Sequence, residues 1–190
     1  MAIRKKRASL TPKKLYKINN VIYDSKVLFD FHVECDKALK QKLIESFEVP
    51  KSIGKKSRFN VYKPIIDDIK FDSLMEAKYY IKLLNDKANN IIKNFDRQIV
   101  FNLQPAFKKG KKKYKAIDYI CDFVIVYPDD TFEVIDVKGR ETPEFKIKHK
   151  LFEFKYPETS LKLIQYYEPE NKWLELSEIR KIKRNKKKDK

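Results

Sequence analysis

Ile117-Asp118-Tyr119-Ile120-Cys121-Asp122-Phe123-Val124-Ile125-Val126-Tyr127-Pro128-Asp129-Asp130-Thr131-Phe132-Glu133-Val134-Ile135-Asp136-Val137-Lys138 is the stretch that decides the fold. Two runs rich in β-branched and aromatic residues flank Pro128-Asp129-Asp130, a good turn sequence, so the stretch predicts a hairpin. With the turn centred on Asp129, Val126 faces Phe132, Val124 faces Val134, Asp122 faces Asp136 and Ile120 faces Lys138. Period-two alternation puts all of these on one face. Tyr119, Cys121, Phe123, Ile125, Ile135 and Val137 then share the other face. Both faces are largely apolar, which predicts a central hairpin covered on both sides.

Two aspartates opposed within such a hairpin are costly. Like charges across a ladder repel, and a buried carboxylate needs compensation. A divalent cation shared by Asp122 and Asp136 supplies it, with Lys138 as a neighbouring positive group. Oxygen ligation without Cys or His points to Mg²⁺ or Mn²⁺ over zinc. The competing reading is an Asp–Lys–Asp ion-pair cluster near a sheet edge, or a hairpin shifted in register.

Working outward, residues 26–48 show mixed helical periodicity and end at Val49-Pro50. Leu74, Ala77, Ile81, Leu84, Ala88 and Ile91 recur at three- and four-residue steps and predict a helix started by Asp72-Ser73. Residues 98–104 predict a strand stopped by Pro105, and Lys108–Lys115 a lysine loop. Thr142-Pro143-Glu144 has the chemistry of a helix start, with the helix ending before Pro157. Leu161–Tyr167 predicts a strand and Glu175–Lys183 a last helix. Helix, strand, hairpin, helix, strand describes a small α/β domain with a mixed sheet. A weak internal repeat has an offset of 48 residues: Tyr23-Asp24-Ser25 parallels Phe71-Asp72-Ser73, and Glu76 is matched by Leu28. Either the N-terminal third is a decayed copy of the helical segment without its acid, or two capping patterns coincide.

The net charge of +17 in 190 residues is unevenly spread. Residues 1–17 hold seven Lys/Arg and no acid, residues 180–190 eight Lys/Arg and Asp189, and Lys108–Lys115 six lysines. These segments outweigh the total, so the remainder is slightly acidic. Basic appendages attract polyanions through salt-sensitive, sequence-blind phosphate contacts; solubility alone is the bland alternative. Cys35 and Cys121 lie far apart and suit neither a disulfide framework nor a zinc site, so both read as buried small hydrophobes. No apolar stretch approaches a bilayer span, and Met1–Arg7 lacks a signal's apolar segment. The expectation is a soluble intracellular protein.

The ordered set Phe71-Asp72-Ser73-Leu74-Met75-Glu76-Ala77-Lys78-Tyr79-Tyr80, Leu103-Gln104-Pro105, Tyr119-Ile120-Cys121-Asp122-Phe123, Val134-Ile135-Asp136-Val137-Lys138-Gly139, Thr142-Pro143-Glu144-Phe145 and Lys150-Leu151-Phe152 resembles the PD-(D/E)XK nuclease superfamily. Within it, the set is similar to small phage and prophage endonucleases related to Holliday-junction resolvases and the TnsA-type transposase subunit. Cys121 replaces the variable Pro of the motif. The resemblance covers about residues 69–167. It implies a restriction-endonuclease-like core over 69–179, a basic extension over 1–68 and a lysine-rich tail over 180–190.

It further implies a Mg²⁺- or Mn²⁺-dependent endonuclease on branched DNA, in the bacterial host cytoplasm, acting as a homodimer as resolvases do. Asp122 and Asp136 would ligate the metal with the Val137 carbonyl, and Glu76 would hold a second metal or a metal-bound water. Lys138 would polarise the attacking water. Gln104 would be auxiliary. Lys108, Lys109, Lys111, Lys112, Lys113, Lys115, Lys146, Lys150 and His149 are candidate phosphate contacts, the alternative being solvated surface. Ser73 and Glu76 also form a ready capping box, a structural role for that acid. The rival functions are a non-catalytic DNA-binding or assembly protein on the same fold, and a nuclease subunit needing a targeting partner.

Overall fold

The computed structural model describes residues 16–19, 21–23, 25–49, 63–137 and 141–188. The chain divides into two compact units, Met1–Leu74 and Met75–Lys190. The sequence expectation put the boundary six residues earlier, after residue 68, and the described residues of the first unit include buried apolar side chains.

In the first unit, β1 (Tyr16–Ile18) and β2 (Val21–Tyr23) pair antiparallel and lead into α1 (Lys26–Lys40). Then β3 (Phe47–Glu48), β4 (Ile65–Ile66) and β5 (Ile69–Lys70) form a small antiparallel sheet. Tyr23, Leu28, Phe31, Cys35, Ala38, Ile44, Ile66 and Phe71 are buried. The expected helix over 26–48 stops at Lys40 because Lys42 turns left-handed (φ 57°). The Leu43 amide then bonds the Ala38 carbonyl and the Lys42 amide the Leu39 carbonyl, a Schellman stop.

The second unit starts with α2 (Leu74–Ala88) and continues through the long strand β6 (Asn94–Gln104). A small hairpin follows, β7 (Phe107–Lys109) with β8 (Lys112–Tyr114), where the lysine loop was expected. Then come β9 (Ile117–Val126), β10 (Phe132–Val137), α3 (Pro143–Lys155), β11 (Leu161–Tyr167), β12 (Lys172–Glu175) and α4 (Leu176–Lys188). The central sheet has the order β12-β11-β10-β9-β6. Its β6–β9–β10 half is antiparallel, β11 joins β10 in parallel after the α3 crossover, and β12 closes the edge antiparallel. This is a mixed α/β architecture, a five-stranded mixed sheet flanked by helices, compatible with a restriction-endonuclease-like core.

Local chemistry explains the elements. Thr142 caps α3 by accepting the Phe145 amide at 3.1 Å, with Pro143 in the first turn. Phe145 and Phe152 pack on Tyr119 from one side of the sheet. On the other side Tyr79 meets Phe123 and Tyr80 meets Phe95. The buried face of α2 runs through Glu76, Tyr79, Tyr80 and Leu83, with Ala77 and Ile81. Ala88 and Ile91 of the expected stripe are exposed, since the two tyrosines and Leu83 bring more apolar area to the sheet. The expected tail from residue 180 continues as helix to Lys188, anchored by buried Ile179 and by Lys186 reaching the Tyr167 hydroxyl. Lysines at a helix C-terminus also suit its dipole. No described helix is long and apolar enough to cross a membrane.

The offset of 48 residues has a structural counterpart. α1 and α2 each span 15 residues and start at Lys26 and Leu74. Each follows a two-residue-loop hairpin in the same register, Tyr16↔Tyr23 to Ile18↔Val21 in one case and Ile65↔Lys70 to Ile66↔Ile69 in the other. Asn19 and Asp67 both have positive φ in those loops. α2 ends as α1 does, with Asn90 left-handed and the Ile91 amide on the Asp86 carbonyl. The buried residues Leu28, Phe31, His32, Cys35 and Ala38 correspond one for one to buried Glu76, Tyr79, Tyr80, Leu83 and Asp86.

Candidate active site

The β9–β10 ladder runs from Phe132↔Val126 through Val134↔Val124 to Ile135↔Phe123, the register expected from the turn. There it opens. In place of a further rung, Asp122 Oδ2 accepts the Val137 amide at 2.7 Å. Asp136 stays in the sheet, paired with Leu163 of β11, and is 1% exposed.

The expected common face of Tyr119, Cys121, Phe123 and Ile125 does not form. Tyr119 and Cys121 lie in the α3-side core with Val134, whereas Phe123 faces Tyr79 on the α2 side. The same exchange occurs on β6: Phe95 stacks with Tyr80, but Phe101 packs on Phe152 and Tyr156. Between them Gln98 has φ 54°, and the ladder passes from Arg97↔Phe123 to Ile99↔Cys121. A left-handed residue inside a strand turns the chain about its axis, so alternation changes phase while the pairing does not. Asp122 is the residue opposite that turn. Its carboxylate consequently runs toward the end of β10.

Tyr119 senses both acids. Burial first, then the nearby charge of Asp136, then the charge of Asp122, push the phenol far up. A neutral Tyr119 is therefore available to donate to Asp136. Glu76, in the first turn of α2, is buried. Arg97 on β6 lies over the Tyr80 ring at 5.6 Å, and burial lowers its pKa against the opposing influence of Tyr80, Glu76 and Asp122. Tyr119 thus feels the charges of Asp136 and Asp122, and Arg97 those of Glu76 and Asp122. The sequence singled out neither Tyr119 nor Arg97. An arginine in a strand carries no sequence signal of its own; Tyr119 reads as core.

Among the described residues, no group of three or more Asp, Glu, His or Cys forms a metal-binding cluster. The candidate donor set is a carboxylate pair, Asp122 and Asp136, with Asp122 held against the Val137 backbone. Two carboxylates fit a hard cation that keeps several waters, as Mg²⁺ does, and do not fit zinc. The Val137 N–H and the Tyr119 hydroxyl are of the kind that orient ligand carboxylates from behind. Beside Val137 opens a cavity of about 320 Å³, lined among others by Met75, Tyr166, Tyr167, Ile179 and Lys183.

Of the other expected residues, Lys138 lies outside the described ones. Gln104 ends β6 beside a register shift against β9. Lys108, Lys109, Lys111, Lys112, Lys113 and Lys115 are exposed on or beside the β7–β8 hairpin, and Lys146 and Lys150 are exposed on α3. His149 stacks on Phe145 and lies 3.4 Å from Glu153.

Fold and site together define a mixed α/β protein with two aspartates at the open end of its central hairpin. The chain belongs to the family described as Protein of unknown function (DUF1064), whose model matches residues 56–168. No curated protein matches it.

Proposed function

We propose that this protein is a divalent-metal-dependent DNA endonuclease of the PD-(D/E)XK kind. The observation that carries the reading is the opening of the β9–β10 ladder: Asp122 takes the Val137 amide just where Asp136 lies buried. A fold gains nothing from placing two aspartates there unless something cationic joins them.

Asp122, Asp136 and the Val137 carbonyl would hold Mg²⁺ or Mn²⁺. Such an ion supplies a readily ionised water and neutralises charge developing at a phosphate. The Val137 amide keeps Asp122 oriented by donation, and a Tyr119 hydroxyl turned toward Asp136 would do the same there. Glu76 would accept a proton from a water or take part in a second site. Lys138, next in the chain, would orient the attacking water toward the scissile phosphate. The exposed lysines of the β7–β8 hairpin and of α3 would meet neighbouring phosphates. Branched DNA of a phage recombination intermediate, processed by a homodimer in the bacterial host cytoplasm, completes the reading; it rests on resemblance alone.

The test incubates the purified chain with linear, nicked and four-way-junction DNA, with and without Mg²⁺, beside Asp136→Asn. Metal-dependent cleavage that the variant loses is expected. Cleavage of nothing, with retained DNA binding, would favour a binding or assembly role or a missing targeting partner. Equal cleavage by the variant would remove Asp136 from the chemistry.

A further inference from the structure

The β7–β8 hairpin is a sheet of its own, and its composition opposes its stability. Lys108 faces Lys113 and Lys109 faces Lys112 on successive rungs. Like charges directly opposed across a ladder repel, and an isolated two-stranded ribbon is marginal to begin with. The turn is well made: Gly110 has φ 60° and opens a two-residue loop, as this hairpin type demands. Nothing lies within 4 Å of the position a Cβ would take there, so the tip stands in open space. A polyanion running along the ribbon relieves the repulsion.

The remaining rung says which polyanion. Phe107 faces Tyr114, with rings stacked at 4.6 Å and 3°. Phe107 is 43% exposed, and Lys112 lies 5.0 Å from the Tyr114 ring centroid. These rings and Ala106 floor a recess rimmed by Lys108, Lys113 and Lys115. The stacked pair leaves the outer face of Phe107 open, and an open ring face with a cationic rim matches a nucleobase on its phosphate chain. Bases in a duplex hide their faces in the stack and show only edges, so the recess suits an unpaired strand.

We infer that the β7–β8 ribbon is a single-strand clamp, in which the Phe107/Tyr114 platform stacks on an unpaired base and the paired lysines neutralise the flanking phosphates. This deepens the nuclease reading and rests on it for the identity of the strand as DNA. The preferred substrate is then DNA with unpaired nucleotides beside the duplex to be cut, such as a flap or fork.

The test measures binding of labelled oligothymidylate and of a duplex of equal length by fluorescence anisotropy, on the full chain in EDTA so that nothing is cut. Phe107→Leu with Tyr114→Leu should lower the ratio of single-strand to duplex affinity by about ten-fold or more, one lost stacking platform. Tyr114→Phe keeps both rings and should hold the ratio. A loss of folded protein lowers both affinities together, so the ratio reports on the ribbon alone. A ratio unchanged in the double variant, or lost equally with Tyr114→Phe, overturns the clamp, as does polyglutamate competing as well as oligothymidylate. The ratio is independent of cleavage: a clamp without nuclease activity, or a nuclease without a clamp, would each show as such.

Discussion

Leu28 on α1 and Glu76 on α2 occupy corresponding places at the offset of 48 residues, and they differ in what burial there costs. At Leu28 the slot is filled by an apolar side chain, 1% exposed; at Glu76 it holds a carboxylate, 8% exposed. On α1 the corresponding position is filled by an apolar side chain, so helix formation alone does not require an acid there. Glu76 contributes to the electrostatic surroundings of Arg97, and removing one member of a buried charged set leaves the other uncompensated. Glu76→Gln keeps the side-chain size and still fits a capping box, so cleavage should fall by about 10²-fold or more while a thermal melt shows the protein still folded. Unimpaired cleavage would take Glu76 out of the site.

Strands β6 and β9 show how far the elements were legible. The hairpin register, the Thr142 cap and the existence of α2 all follow from local rules, because turn residues and capping residues act over a few positions. The phase change at Gln98 does not. Glutamine has no preference for φ 54°, so nothing in its identity announces a left-handed residue inside a strand. The chain adopts it because Phe95 and Arg97 have partners on the α2 side and Phe101 on the α3 side. The lysine run hid a ribbon for a similar reason, since its one glycine gave the only turn signal. The phase change makes its own prediction. Gln98→Gly removes a left-handed strain of about 1 kcal/mol and should raise stability while leaving cleavage intact. Gln98→Val resists positive φ, straightens the strand and re-aims Asp122, so cleavage and stability should both fall; thermal melts beside cleavage time courses decide. A valine variant that cuts as well as the parent would mean that the turn does not position Asp122.

Taken whole, the molecule carries its charge of +17 on the β7–β8 ribbon, on α3, on the helical lysines of α4 and on residues 1–17. Each lysine that meets a duplex phosphate lowers the slope of log K against log salt by about 0.9. The eight exposed lysines named on the ribbon and α3 would set a slope near −7 if all made contact, about 0.9 for each. A measured slope steeper than about −4 in anisotropy titrations across a salt series is expected, corresponding to at least half of them. A nearly flat slope would leave these lysines solvated. The sheet topology also bears on the order of assembly. β6, β9 and β10 are joined by antiparallel neighbours close in sequence, whereas β11 reaches β10 only after α3 has been threaded across. Local pairings form ahead of distant ones because they close shorter loops. The bond from the Val137 amide to Asp122 belongs to the early half, and the pairing of Asp136 with Leu163 to the late half. An incompletely folded chain thus carries one acid in place and the other still waiting for its neighbour, so the aspartate pair is complete only with the last strands of the sheet.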